Sequence, residues 1–193
     1  MYQDDFSSPG SGWLVREDAT GRLGYLNGEY QILVKGQFLV WSTTAPGVRC
    51  VDCAVEADGR FSSTAYRSYG LVFGVDDTSS YHFAVDGDER YVLTRYTPQG
   101  WIILLNWTSS PYINAGQAAN RLRVERVGTQ IKLYANGHYL TTVTGSFGSG
   151  SLGVGLVASA YSTDMDARFD NFAVYSQSSG AITSVGQEGE AVR

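Results

Sequence analysis

The stretch 120–143, NRLRVERVGTQIKLYANGHYLTTV, restricts the fold more than any other part of the chain. Leu122 and Val124 alternate with Arg121, Arg123 and Glu125, and Ile131 and Leu133 alternate with Lys132 and Tyr134. That is the period of a strand with one buried face. Gly128 separates the first two runs, and Asn136-Gly137 separates the second from a third, Tyr139 to Val143. Asn-Gly between alternating runs marks a tight hairpin, because a type I′ turn needs positive φ at both central residues. The stretch therefore predicts an antiparallel meander with one wet face. Such a meander is not stable alone, so the rest of the chain must supply a second layer.

The remaining sequence has the composition for that layer. With 23 Gly, 13 Tyr and 17% charged residues, it favours short strands and tight turns over helices. Short strand-like runs recur along it. They begin with Trp13 to Val15 and Leu23 to Leu26, and Asn27-Gly28 is a second hairpin signal leading into Tyr30 to Val34. Phe38 to Trp41 comes next, then a Thr/Pro/Gly loop, then one long strand from Val48 to Ala57. Tyr69 to Val75, Tyr81 to Val85, Tyr91 to Tyr96 and Trp101 to Trp107 form an aromatic-rich middle, with Leu71, Phe73, Phe83, Val85, Ile103 and Leu105 expected in the core. Leu152 to Ala158 and Ala167 to Tyr175 close the series. The spacings are too short for crossover helices, which predicts an all-β, antiparallel two-sheet β-sandwich or barrel. A length of 193 residues suits one domain, expected over 1–177, with 178–193 reading as a flexible tail or linker.

Charge and hydropathy exclude several partners. A net charge of −5 argues against a nucleic-acid footprint. No apolar run is long enough for a transmembrane helix, so no membrane insertion is expected. The opening MYQDDFSSPG has neither a basic nor an apolar leader region, which predicts a cytoplasmic protein or a piece of a longer exported one. Cys50 and Cys53 are the only cysteines. Zinc lacks ligands, since only His82 and His138 could join them. On one regular strand, residues three apart face opposite ways, so two small buried thiols are preferred and a local disulfide is the alternative.

The order of DDFSSPGSGW, YGLVFGVDD, YHFAVDGDERYVLTRY, GWIILLNW, NRLRVERVGTQIKLYANG, GSLGVGL and ARFDNFAVY resembles a concanavalin A-like (LamG-type) jelly roll. It is similar to bacterial extracellular domains grouped with the 3-keto-disaccharide hydrolase or laminin-G-like families. The resemblance implies two large sheets, one curved into a groove that holds a glycan, and an extracellular or cell-surface setting. Aromatic rings would stack on sugar rings while polar side chains take the hydroxyls. Arg67, Tyr69, His82, Arg95, Tyr96, Trp101 and Trp107 are the candidate ligand-binding residues.

No catalytic residue is assigned. Sugar-cleaving relatives in glycoside hydrolase family 16 carry E-x-D-x-x-E, whose glutamates lie about 5 Å apart for retention. Here Glu56-Ala57-Asp58-Gly59-Arg60-Phe61 has Phe61 in place of the second Glu. Asp86-Gly87-Asp88-Glu89 reads as a solvated turn, and Asn106-Trp107-Thr108 fits an N-glycosylation pattern that matters only in a secreted eukaryotic protein. In the last strand, Phe169 and Phe172 break alternation, which predicts a bulge. That bulge would bring Asp170 beside Asp4 and Asp5, and the resemblance implies a structural calcium at Asp5 and Asp170. The expected function is a non-catalytic carbohydrate-binding or surface-recognition module of a larger exported protein. A hydrolase of a poly- or disaccharide and a structural or adhesion domain with a protein partner are the alternatives.

Overall fold

The computed structural model describes residues 1–64, 67–148, 150, 152–161 and 164–177, and the backbone of 182–184. Its strands are β1 (Tyr2–Asp4), β2 (Arg16–Asp18), β3 (Gly21–Leu26), β4 (Glu29–Val34), β5 (Leu39–Cys50), β6 (Cys53–Phe61), β7 (Ser68–Val75) and β8 (Ser80–Val85). They continue as β9 (Arg90–Thr97), β10 (Gly100–Ser109), β11 (Asn120–Val127), β12 (Gln130–Ala135), β13 (His138–Thr144), β14 (Leu152–Ala160), β15 (Met165–Ser176) and β16 (Ile182–Ser184). There is no helix among the described residues, and so none long and apolar enough to cross a membrane.

The strands form two antiparallel sheets, which makes the chain an all-β sandwich. A nine-stranded sheet runs β13-β12-β11-β6-β15-β4-β3-β2, with β1 also paired to β15. A seven-stranded sheet runs β10-β9-β8-β7-β14-β5-β16. The expected meander is β11-β12-β13, and its burial alternates as the sequence predicts. Asn136 and Gly137 have φ of 51° and 80°, and Asn27 and Gly28 have 56° and 80°, so both Asn-Gly turns take the predicted left-handed form. The bulge in the last strand is also present: the β15–β6 register shifts between Asp170 and Ala173, and Asn171 has φ 51°.

Other expectations are corrected. The run from Val48 to Ala57 is two strands, because the chain turns at Val51-Asp52 and crosses between the sheets. Cys50 ends β5 in one sheet and Cys53 starts β6 in the other, and the two form a disulfide with Cα atoms 6.0 Å apart instead of two thiols. The facing objection to a bridge applied to one continuous strand, and that strand does not exist. Trp13 to Val15 is not a strand; Trp13 enters the core from a loop. Within 178–193, Ile182–Ser184 pair with β5, and the rest lies outside the described residues.

The inner faces of the sheets close on one core that includes Leu71, Phe73, Phe83 and Val85, as expected, with Leu105 packed against it. Ile103 is corrected to the outer face, where it is 62% exposed. The register of β10 shifts between Ile103 and Leu105, and that shift turns two alternate residues to opposite sides.

The seven-stranded sheet is pinned at two glycines. A Cβ on Gly70 would lie 2.0 Å from the Phe83 carbonyl oxygen, and one on Gly155 would lie 2.0 Å from that of Thr43. Either position must therefore push a neighbouring backbone aside to take a side chain. Gly70→Ala is expected to cost about 1–3 kcal/mol, the usual range for forced overpacking. Urea unfolding would show it as a lower midpoint with an unchanged slope, and an unchanged midpoint would contradict the close approach.

Candidate functional site

The outer face of the seven-stranded sheet carries a groove of about 260 Å³. Residues from β5, β14, β7, β8, β9 and β10 all line it, so it crosses six of the sheet's seven strands. Register explains the lining. His82 pairs with Thr94, Trp101 with Tyr96, Ile103 with Thr94, and Val157 with Gly70, so alternate residues of each strand share this face. The floor is apolar and closely packed, with Ala84, Val92 and Val157 almost inaccessible. Ser68 and Ser159 hydrogen-bond across it at 2.6 Å.

The walls are aromatic. Trp101 is 49% exposed and Tyr96 45%, with ring centroids 5.3 Å apart. His82 lies beneath Trp101 in an edge contact at 4.9 Å, with its Nε2 2.8 Å from Ser80 Oγ. Burial pushes the pKa of His82 down to about 4, so the imidazole is neutral at ordinary pH. Trp107 is half-buried, with the Arg67 guanidinium 5.7 Å from its ring centre and 4.8 Å from that of Tyr161.

Of the candidate residues, Arg67, His82, Trp101 and Trp107 line the groove, and Tyr96 stands beside Trp101. Two are corrected. Tyr69 is 1% exposed and points between the sheets, where its hydroxyl accepts a hydrogen bond from Asn120 Nδ2 at 2.9 Å. Arg95 pairs with core-facing Tyr81 and stacks over its ring at 5.2 Å, so it lies on the inner side of β9. Sequence reasoning missed Thr94, Ser68 and Ser159, and treated Asn106 only as a glycosylation acceptor. Thr94 could have been found from hairpin register, since it lies opposite His82.

No carboxylate lines the groove among the described residues. Glu56 and Asp58, the partial glucanase motif, lie on the nine-stranded sheet instead. Arg121 and Arg123 hold Glu56, and Arg121 and Asn171 hold Asp58.

The calcium expectation meets a poor donor set. Asp5 Oδ1 accepts from the Ser7 amide and hydroxyl, and Asp170 Oδ1 accepts from the Asn171 amide. Burial raises the Asp170 pKa, and the nearby carboxylates of Asp58, Glu29 and Asp5 add to the rise. Among the described residues, no three His, Cys, Asp or Glu side chains converge as metal ligands. These residues do not fit a calcium ion held by side chains.

No family model and no curated protein matches the chain. Solved structures do resemble it. A carbohydrate binding module, CBM66, from Bacillus subtilis has a TM-score of 0.56 at 18% identity, covering 86% of this chain and 92% of that one. The catalytic domain of an endo-1,3-beta-glucanase (laminarinase) from Thermotoga petrophila RKU-1 has a TM-score of 0.63 at 10% identity, covering 92% and 97%. A protein of unknown function with a galectin-like fold from Bacillus subtilis has a TM-score of 0.66 at 11% identity, covering 91% and 94%. These likenesses show the fold: the chain is an all-β, antiparallel two-sheet jelly-roll sandwich.

Proposed function

We propose that the protein is a non-catalytic carbohydrate-binding module that holds a glycan in the groove of its seven-stranded sheet. The observation that carries this reading is the exposure of Trp101 and Tyr96 over an apolar floor, with Asn106, Thr94 and neutral His82 in reach. Exposed rings give sugar CH faces a stacking surface, and the polar groups take hydroxyls. Glycosidic hydrolysis needs two placed carboxyl groups, and the groove's described lining offers none. Likeness of fold to both a binding module and a glucanase is compatible with either role, so the site has to decide. The disulfide suits an oxidising, extracellular setting.

A glycan array, followed by affinity electrophoresis against the polysaccharides that register, tests the proposal. The protein is expected to be retarded by at least one polysaccharide. Trp101→Ala is expected to weaken that binding roughly 30-fold or more, the scale of a hot-spot aromatic, while leaving the melting temperature unchanged. An array without binders, or a Trp101→Ala variant that binds normally, counts against it. One observation favours a protein partner instead. β10 is an edge strand whose Ile102 and Ile103 are 45% and 62% exposed, which suits strand addition by another chain. In that case the array would show no binder, and Ile102→Lys, outside the groove lining, would abolish partner capture.

A further inference from the structure

We propose that the groove selects an acidic sugar, one bearing a uronate carboxylate or a sulfate ester, and that Arg67 is the anchor for that anion. The inference rests on the glycan-binding reading and specifies its ligand class. Arg67 is the only formally charged side chain in the described lining, since His82 is neutral and no Asp or Glu is present. The chain as a whole carries a net charge of −5, so a cation-only groove is a local reversal of the protein's charge.

Arg67 is also held in place. Its guanidinium carbon lies 5.7 Å from the Trp107 ring centre and 4.8 Å from that of Tyr161, so two aromatic rings hold the cation beside the groove. Among the described residues no carboxylate lies within ion-pair distance of it, whereas Arg60, Arg90, Arg121, Arg123 and Arg168 all have such partners. No hydrogen-bond acceptor engages it among those residues either, so its fork of N–H donors remains available. A guanidinium held between two rings, with its donors unengaged by the described residues, matches the paired oxygens of a carboxylate or sulfate, and it discriminates against a hydroxyl at the same position. Trp107 and Trp101 flank the same space, so one sugar can stack its ring and present its acid group together.

Two matched pairs of probes test this: alginate with its carboxyl-reduced form, and a sulfated galactan with its desulfated form. The acidic member of at least one pair is expected to bind at least 10-fold more tightly than its neutral counterpart. Which pair responds identifies carboxylate or sulfate as the anion. Arg67→Gln is expected to remove that preference, and Arg67→Lys to lose most of it, because the charge survives without the fork. Raising salt from 0.05 to 0.5 M is expected to weaken acidic binding and spare neutral binding. Neutral members that bind as tightly as acidic ones, with Arg67→Gln unchanged, overturn the anion assignment. Loss of the same neutral binding in Trp101→Ala would then keep the groove as a glycan site. Failure of both pairs to bind also overturns it.

Discussion

Trp13→Ala is expected to cost about 3–5 kcal/mol, the range for deleting a large buried aromatic. For a domain of this size that is a fall in melting temperature of roughly 10 °C. Trp13 is 3% exposed and plugs into the buried core. Its ring makes edge or tilted contacts with Phe172, Phe6 and Tyr30 at 4.9, 5.2 and 5.3 Å. Its Nε1 donates to Asp4 Oδ2 at 2.9 Å, and its amide donates to the Tyr25 hydroxyl at 2.9 Å. Removing the indole opens a cavity and leaves Asp4 without that donor. Trp13→Phe keeps most of the ring contacts and is expected to lose less than half as much. Trp101→Ala supplies the contrast, since an exposed indole costs little to remove. Equal melting of the Trp13→Ala and Trp101→Ala proteins would refute this account of the plug.

Trp13 also shows where the sequence stopped being readable. The residue was expected in a short strand, yet it packs from a loop. Periodicity carries no information there, because the indole is buried by tertiary contacts alone. The meander was legible because two local signals, alternation and Asn-Gly, agree with its global place at a half-wet sheet. The middle strands were half legible. β7 is buried at every position from Ser68 to Gly74, so alternation separates two sets of residues without saying which set faces the core. Tyr69 falls in one alternating set with Leu71 and Phe73, which were placed correctly in the core, so its expected place in the groove conflicted with alternation rather than being left open by it. Ile103 failed for a different reason, a register shift that no single-strand pattern encodes. Trp101 and Trp107 both lie on the edge strand β10 and line the groove. The cysteine pair needed the break at Val51-Asp52, which changes sheets without any Gly or Pro to announce it.

The second large effect is expected at Glu56, on the sheet opposite the groove. Its Oε1 accepts from Arg121 Nη2 at 2.6 Å and from the Tyr175 hydroxyl at 2.9 Å, and its Oε2 accepts from Arg123 Nη1 at 3.0 Å. The Glu56 side chain is 11% exposed, while those of Arg121 and Arg123 are 39% and 30% exposed. The carboxylate is thus hidden by its partners more than by depth. Removing one partner of a fully buried pair costs about 3–5 kcal/mol. Water reaches both arginines here, so Glu56→Ala is expected to cost about 2–3 kcal/mol at pH 7. Burial pushes the Glu56 pKa up, but the hydrogen bonds from Arg121, Arg123 and Tyr175 outweigh it and hold the pKa below 4.5. A carboxyl group whose pKa falls on folding stabilises the native state above its unfolded value and loses that contribution as pH drops through the folded one. The stability gap between the native protein and Glu56→Gln should therefore be widest above the ordinary carboxylate range and narrow as the pH falls through the lowered Glu56 pKa. Urea titrations at pH 7 and pH 3 measure both gaps. A gap of the same size at both values would mean that packing, rather than charge, makes Glu56 matter. The same ties bear on function. A carboxylate that three donors hold on the far sheet cannot reach a ligand in the groove, so under the proposed glycan-binding function the Glu56 variants should bind as the native protein does.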